Sequence, residues 1–194
     1  MNVLLIPEDF RKDQFVLKPI VQAIFAAAGK PHANVQTCMD PLLGGIDQAM
    51  SWERLDEIID QYKGMVHLFL LLVDRDGEKT RRAALDALEA RAAAKLSADR
   101  FYGEHAWQEI EVWAIAGLDL PRGWSWADVR THRDPKEAYF APLARQHGVD
   151  QEPGEGRKTL AKLSSQNYAR IRARCPEDVG ALEERLKRKF GTPI

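Results

Sequence analysis

Three carboxylates stand where a chain would put them to hold a divalent cation. Glu8 follows the apolar run Val3-Leu4-Leu5-Ile6 with only Pro7 between, and Asp74 and Asp76 follow the longest apolar run, Leu68 to Val73. If both runs are neighbouring strands of a parallel sheet, their C-terminal ends are where such sheets bind ligands. The three acids then meet. Along an extended segment, side-chain alternation places Asp74 and Asp76 on one side and Arg75 on the other. Clustered carboxylates repel one another unless a cation neutralises them. Mg2+ (or Mn2+) takes oxygen ligands and keeps several waters, so two or three carboxylates suffice. The competing reading of an Asp-x-Asp after a strand is a turn with a helix N-cap.

Other side chains carry chemistry less specifically. Arg75, Lys79, Arg81 and Arg82 lie beside the acids, where they would hold phosphates or form a solvated helix face with Glu78. His105 is a candidate general base or phosphate contact. His67, at the start of a strand, reads as structural, and Trp113 reads as core rather than a base-stacking platform. From Arg157 to Gly191 there are ten Lys/Arg against four acids. That basic tail suits either a nucleic-acid backbone, with Arg172 and Arg174 as phosphate contacts, or an acidic partner. Gly44-Gly45 is not followed by Gly-Lys-Ser/Thr, so it is no P-loop.

The elements that must position these residues are legible from periodicity. Val3–Ile6 reads as a buried strand. A helix is expected over about 12–28, kinked or restarted at Pro19. A weaker strand is expected over 33–37, a helix over about 46–62, and a central strand over 66–73. A helix over 78–97, rich in Ala, Leu, Glu and Arg, comes next. Residues 101–116 suggest a strand turning into a helix near Trp107. This β-α-β-α-β-α order implies an α/β fold, a mostly parallel sheet flanked by helices. After residue 118 the character changes. Leu120 to Pro135 reads as irregular, and 157–191 as two helices broken near Cys175-Pro176. The division expected is an α/β core over 1–118 and, over 119–194, an irregular segment with a basic helical extension packed on that core.

The bulk numbers allow this and exclude little else. The chain has 194 residues, 45% hydrophobic and 29% charged, with a net charge of −1. That is one α/β domain with a real core, and not a histone-like or ribosomal type of basic protein. Cys38 and Cys175 lack metal-ligand spacing and read as reduced thiols. Neither a signal peptide nor a membrane span is evident, so a cytoplasmic protein is expected.

The ordered set of motifs resembles the TOPRIM fold of topoisomerases, primases and several nucleases, whose pattern is a Glu after the first strand and an Asp-x-Asp after a later one. Here these are Glu8 and Asp74-Arg75-Asp76. The resemblance extends to small bacterial TOPRIM-like proteins classed as domain of unknown function 4276. Glu109-Ile110-Glu111-Val112-Trp113 looks like that family's Glu-x-Trp segment. Asp134-Pro135-Lys136-Glu137 looks like its Asp-Pro-Lys/Glu turn, and Arg172-Ala173-Arg174-Cys175-Pro176 like its C-terminal element. The resemblance implies Glu111 as a further acid of the site, with Glu109 as the fallback; both also read as exposed helical acids. One departure is Asp9, which stands where TOPRIM proteins often have Gly. It alters the backbone's approach to a ligand or adds a carboxylate.

What the resemblance implies is a metal-dependent nuclease acting on DNA or RNA, an effector in phage defence or a toxin-like system, paired with an ABC-type ATPase. Glu8, Asp74, Asp76 and Glu111 would be catalytic. The alternatives are an inactive binding or regulatory subunit of an ATPase complex, and a phosphoacceptor receiver-like domain with Asp74 as acceptor. A homo-oligomer is left open.

Overall fold

The computed structural model describes residues 1–97 and 99–191. Residue 98, just past the helix expected over 78–97, and residues 192–194, at the end of the C-terminal extension, lie outside the described residues. Four strands, β1 (Asn2–Pro7), β2 (Asn34–Thr37), β3 (Leu68–Val73) and β4 (Phe101–His105), form one parallel sheet in the order β2-β1-β3-β4. The fold is α/β, a parallel sheet flanked by helices. After β4 the described chain is helical.

The pleat sorts the core into two layers. Val3, Leu5, Leu68, Leu70, Leu72 and Tyr102 face one side; Leu4, Ile6, Phe69, Leu71, Val73 and Phe101 face the other. Strands buried on both faces must be apolar throughout, which is why β1 and β3 read as unbroken runs. The second face is covered by α2 (Ile46–Ala49), α3 (Trp52–Tyr62) and α4 (Arg81–Lys95). The first is covered by α1 (Phe10–Ala27) and α5 (Glu111–Ala116), together with the later helices. These are α6 (Trp126–Thr131), α7 (Ala141–Gln146), α8 (Arg157–Ser165), α9 (Tyr168–Arg174) and α10 (Ala181–Phe190). Phe140, Leu143, Leu160, Ile171, Val179, Leu182 and Leu186 belong to the same hydrophobic cluster as Val3 and Leu5. The segment after 118 thus completes the core's first layer.

Several boundaries differ from expectation for identifiable reasons. Pro19 lies inside an uninterrupted α1. Val16, Leu17, Ile20, Val21, Ile24 and Phe25 are buried along one stripe, and that burial outweighs the roughly 3 kcal/mol cost of an internal proline. The helix expected over 46–62 is two helices, because Ser51 starts a new one by accepting from the Arg54 amide. Leu120–Pro135 is not wholly irregular. Ser125 and Asp128 cap α6, the Asp128 amide donating to Ser125 Oγ at 3.1 Å. The tail holds three helices, since a break at Gln166–Asn167 separates α8 from α9. The structure adds short π-helical turns at Lys136–Phe140 and Pro176–Gly180.

Both cysteines are buried free thiols, Cys38 in one layer and Cys175 in the other. Among the described residues no helix is long and apolar enough to cross a membrane.

The end of α5 packs tightly against α8. The Gly117 amide donates to Ser164 Oγ at 2.9 Å, and a Cβ on Gly117 would stand 2.3 Å from the Ser164 carbonyl oxygen. Backbone cannot yield as a flexible side chain does, so Gly117→Ala must push α8 off α5. The expected loss is about 1–3 kcal/mol of stability, measurable as a lower urea midpoint with little change in the slope of the transition.

Candidate metal centre

The strand order places a topological switch between β1 and β3, since the chain leaves β1 toward β2 on one side and returns as β3 on the other. The crevice at the C-terminal ends of two such strands is the general ligand site of open α/β sheets. Glu8 emerges from β1 and Asp74 from β3, so both acids border that crevice.

The loop after β3 does not continue as an extended strand. Asp76 adopts a left-handed backbone at φ 52° and Gly77 follows at φ 73°, so the chain turns back on itself. Asp tolerates that region better than most residues. Gln108 holds the turn. Its carbonyl accepts from the Arg75 amide at 2.8 Å and the Asp76 amide at 3.2 Å, and its side-chain oxygen accepts from the Gly77 amide at 3.0 Å. The same clamp draws the loop after β4 against the loop after β3. The Ile110 amide then donates to Asp74 Oδ1 at 2.8 Å, and Glu109 arrives beside the two aspartates.

Carboxylate oxygens of Asp74, Asp76 and Glu109 lie within 4.8 Å of one another. Spacing of that order fits one cation with oxygen–metal distances of roughly 2.0–2.6 Å. Glu8 stands next to this group. Burial raises its pKa, repulsion from Asp76 adds to the rise, and the Asp74 backbone amide and Arg81 oppose it. Among the described residues Glu8 Oε2 is buried without a hydrogen-bond partner, which is costly for a carboxylate unless something else satisfies it.

A further acid stands close enough to Asp74 to repel its charge. Asp13, in the first turn of α1, accepts from the Asp9 amide at 2.8 Å through Oδ2. Its pKa is pushed up to about 7, mainly by burial and further by Glu111 and Glu8, although the Asp9 amide pulls it down. Glu109 also rises to about 7, by burial first, against the Lys136 amide and with repulsion from Glu111. Asp74 is driven well above the ordinary range by burial, then by Glu111, Asp13 and Glu8, with the Ile110 amide opposing. Mutual repulsion among packed carboxyls in a poorly hydrated crevice is what a bound cation would relieve. The donor set is all oxygen, which suits a hard divalent ion. The residues present therefore fit a metal, and an acidic group able to hold one is in place.

The expected site residues divide. Asp74 and Asp76 converge with Glu109; Glu8 is not one of the three, although its carboxyl is near enough to Asp76 to be repelled by it. Glu111 is 3% exposed and faces inward, with Arg157 Nη2 at 2.6 Å and Nε at 2.9 Å on its Oε1. Asp9 caps α1, accepting from the Arg11 amide at 2.9 Å. Arg174 donates to the Ala116 and Leu118 carbonyls at the far end of α5 from Glu109, both at 3.0 Å. Arg172 pairs with Glu183 and Glu184. Neither arginine is brought to the acids. Sequence reasoning missed Asp13, Gln108 and Arg157. Asp13 sits five positions past Glu8 and its signal was in plain view. The other two reach the site only through the tertiary fold.

Beside the acids lies a groove of about 600 Å³ lined by Arg75, Lys79, Arg82, His105, Trp107 and Arg185, among others. Arg82 is spent on Asp86, Glu89 and Glu104, and Arg185 on Glu89. Arg75 lies over the Trp107 ring at 4.1 Å and donates only to the Glu78 carbonyl, at 3.4 Å. Among the described residues no carboxylate pairs with Arg75 or Lys79. His105 is half-buried; burial lowers its pKa, against a contact from its Nδ1 to the Ala106 carbonyl oxygen.

Comparison with protein-family models, with curated proteins and with solved structures finds no match to this chain.

Proposed function

We propose that this chain is a Mg2+- or Mn2+-dependent phosphodiesterase acting on nucleic acid. The observation that carries the reading is the convergence of Asp74, Asp76 and Glu109 within 4.8 Å at the β1/β3 switch, with Glu8 alongside. Asp74, Asp76 and Glu109 would hold the ion, and Glu8 would be a further ligand or a proton carrier. When bound, the ion would neutralise phosphate charge and acidify an attacking water. Glu8 Oε2, unpartnered among the described residues and with its proton affinity raised by burial, is suited to accept a proton. Gln108 keeps Asp76 and Glu109 in one geometry, which a positioned site requires.

The groove supports a polyanionic substrate over a small one. Arg75 and Lys79 lie on the same loop as the metal-binding aspartates, and among the described residues neither is taken into a salt bridge with a carboxylate. Phosphates flanking the scissile one would lie over them. The likeness of Glu8 and Asp74-Arg75-Asp76 to the TOPRIM pattern agrees with this, and with it a role as a defence or toxin-like effector working with an ABC-type ATPase.

The test is cleavage of single- and double-stranded DNA and RNA with Mg2+, with Mn2+ and with EDTA. Metal-dependent cleavage lost in Asp74→Asn is the expected result. Metal binding without cleavage of any of these would leave the centre as a loop-ordering device in a binding subunit. The doubly substituted Arg75→Ala/Lys79→Ala chain should bind substrate more weakly. Its dependence of log affinity on log salt should be shallower by about 1.4–1.8, at roughly 0.7–0.9 per phosphate contact. An unchanged salt slope would remove these two residues from the interface.

A further inference from the structure

We infer that Arg157 acts as a built-in cation that withholds Glu111 from metal and limits the acidic centre to a single divalent ion; this rests on the metal-centre reading above. Six carboxylates surround the crevice. Asp74, Asp76 and Glu109 form the converging set. Glu8, Asp13 and Glu111 form a second set, all three close enough to Asp74 to repel its charge. Two-ion phosphodiesterase centres place their metals about 3.5–4 Å apart. Asp74, facing both sets, is the residue that would bridge them.

The second set already has its cation. Arg157 opens α8 and reaches into the crevice with two nitrogens on Glu111 Oε1. Its remaining nitrogen donates to Glu155 at 2.6 Å and to the Gly154 carbonyl at 3.2 Å. The guanidinium also lies 5.6 Å from the centre of the Phe140 ring. Arg157 is 2% exposed and Glu111 3%. A pair buried on that scale does not exchange freely with hydrated ions, because separating it strands a charge away from water. Asp13 is committed as well, through its hydrogen bond from the Asp9 amide. Glu8, whose Oε2 has no hydrogen-bond partner among the described residues, remains available to join the single ion.

The experiment is Mn2+ titration of the full chain by calorimetry, with free Mn2+ followed in parallel by electron paramagnetic resonance. The wild type should take up one ion per chain. Glu111→Gln, which leaves Arg157 a hydrogen-bond acceptor, should also bind one ion with affinity within about threefold of wild type. Loss of a true ligand would cost more than the roughly 10–100-fold typical of an outer partner. Arg157→Met, if it folds, should bind a second, weaker ion on the released Glu111. Two ions in the wild type, or a loss of tenfold or more in Glu111→Gln, would overturn the role of Arg157 and leave the metal centre standing. A folded Arg157→Met that still binds one ion would overturn it too. No uptake by the wild type would instead overturn the metal centre itself, and the inference with it.

Discussion

Asp74→Asn should abolish specific divalent-metal binding while leaving the protein folded. Asn has nearly the shape of Asp, and its side-chain oxygen can keep the hydrogen bond from the Ile110 amide, which is 2.8 Å from Asp74 Oδ1. The loop after β4 therefore stays docked. What disappears is the central charge of the group formed with Asp76 and Glu109. Affinity should fall by more than the roughly 10–100-fold associated with losing an outer-shell partner. The metal-free variant should at the same time be at least as stable as the wild type at pH 8, because Asp74 bears repulsion from Glu111, Asp13 and Glu8. Added Mn2+ should raise the melting temperature of the wild type and not of the variant. Calorimetric titration and thermal denaturation read the two effects separately. A variant that binds Mn2+ as the wild type does would place the ion elsewhere. A variant that unfolds would give Asp74 a structural role that the hydrogen bond alone does not suggest.

The main lines of the fold were legible because they depend on local pattern. β1 and β3 are central strands flanked on both sides, so their burial writes a continuous apolar run into the chain. Glu8 and Asp74 could be placed because each follows such a run directly. The position of Asp76 beside Asp74 was reached by a different route from the one the sequence suggests. Alternation along an extended strand would have aligned them, but the chain turns at a left-handed Asp76 held by Gln108. The Glu109–Glu111 choice was not legible. Two acids separated by one residue at the start of a short helix differ only in what the fold brings to each. Glu109 is met by the Lys136 amide at 2.8 Å and the metal group, and Glu111 by Arg157, 46 residues further along the chain. The basic tail illustrates the same limit. Its composition suits a polyanion, yet Arg157, Arg172, Arg174 and Arg185 are turned to Glu111, to Glu183 and Glu184, to the carbonyls ending α5, and to Glu89. Asp178, buried within that tail, accepts from the Trp107 amide, Trp113 Nε1 and Arg130 at 2.9–3.0 Å. Charge counting cannot see such internal pairing.

Stability should fall as pH rises without metal and fall less steeply with it. Asp13 and Glu109 titrate near 7 in the folded chain, and Asp74 and Glu8 are also raised. In the unfolded chain these carboxyls return to roughly 4. The folded state then holds protons that the unfolded state releases, so this contribution is complete below about pH 4 and is lost as pH rises through about 7. Asp13, mostly enclosed, accounts for up to about 4 kcal/mol of that loss at about 1.4 kcal/mol per unit; Glu109, partly open to solvent, accounts for less. Metal would offset the share of Asp74, Glu109 and Glu8, because it binds their deprotonated carboxylates, so the stabilisation it gives grows over the same interval; the share of Asp13, which is not among the converging acids, persists. Urea denaturation at pH 5, 6, 7 and 8, with EDTA or saturating Mg2+, should give curves that nearly coincide at pH 5 and diverge steadily to pH 8. Glu104 supplies an internal control. It too is raised to about 7, chiefly by burial and in spite of Arg82, but it lines the groove and is not one of the converging acids. Its share of the pH dependence should persist with metal present and vanish in Glu104→Gln. A Mg2+ effect of equal size at pH 5 and pH 8 would mean that the ion is not displacing protons from these carboxyls, and the convergence of Asp74, Asp76 and Glu109 would then need another explanation.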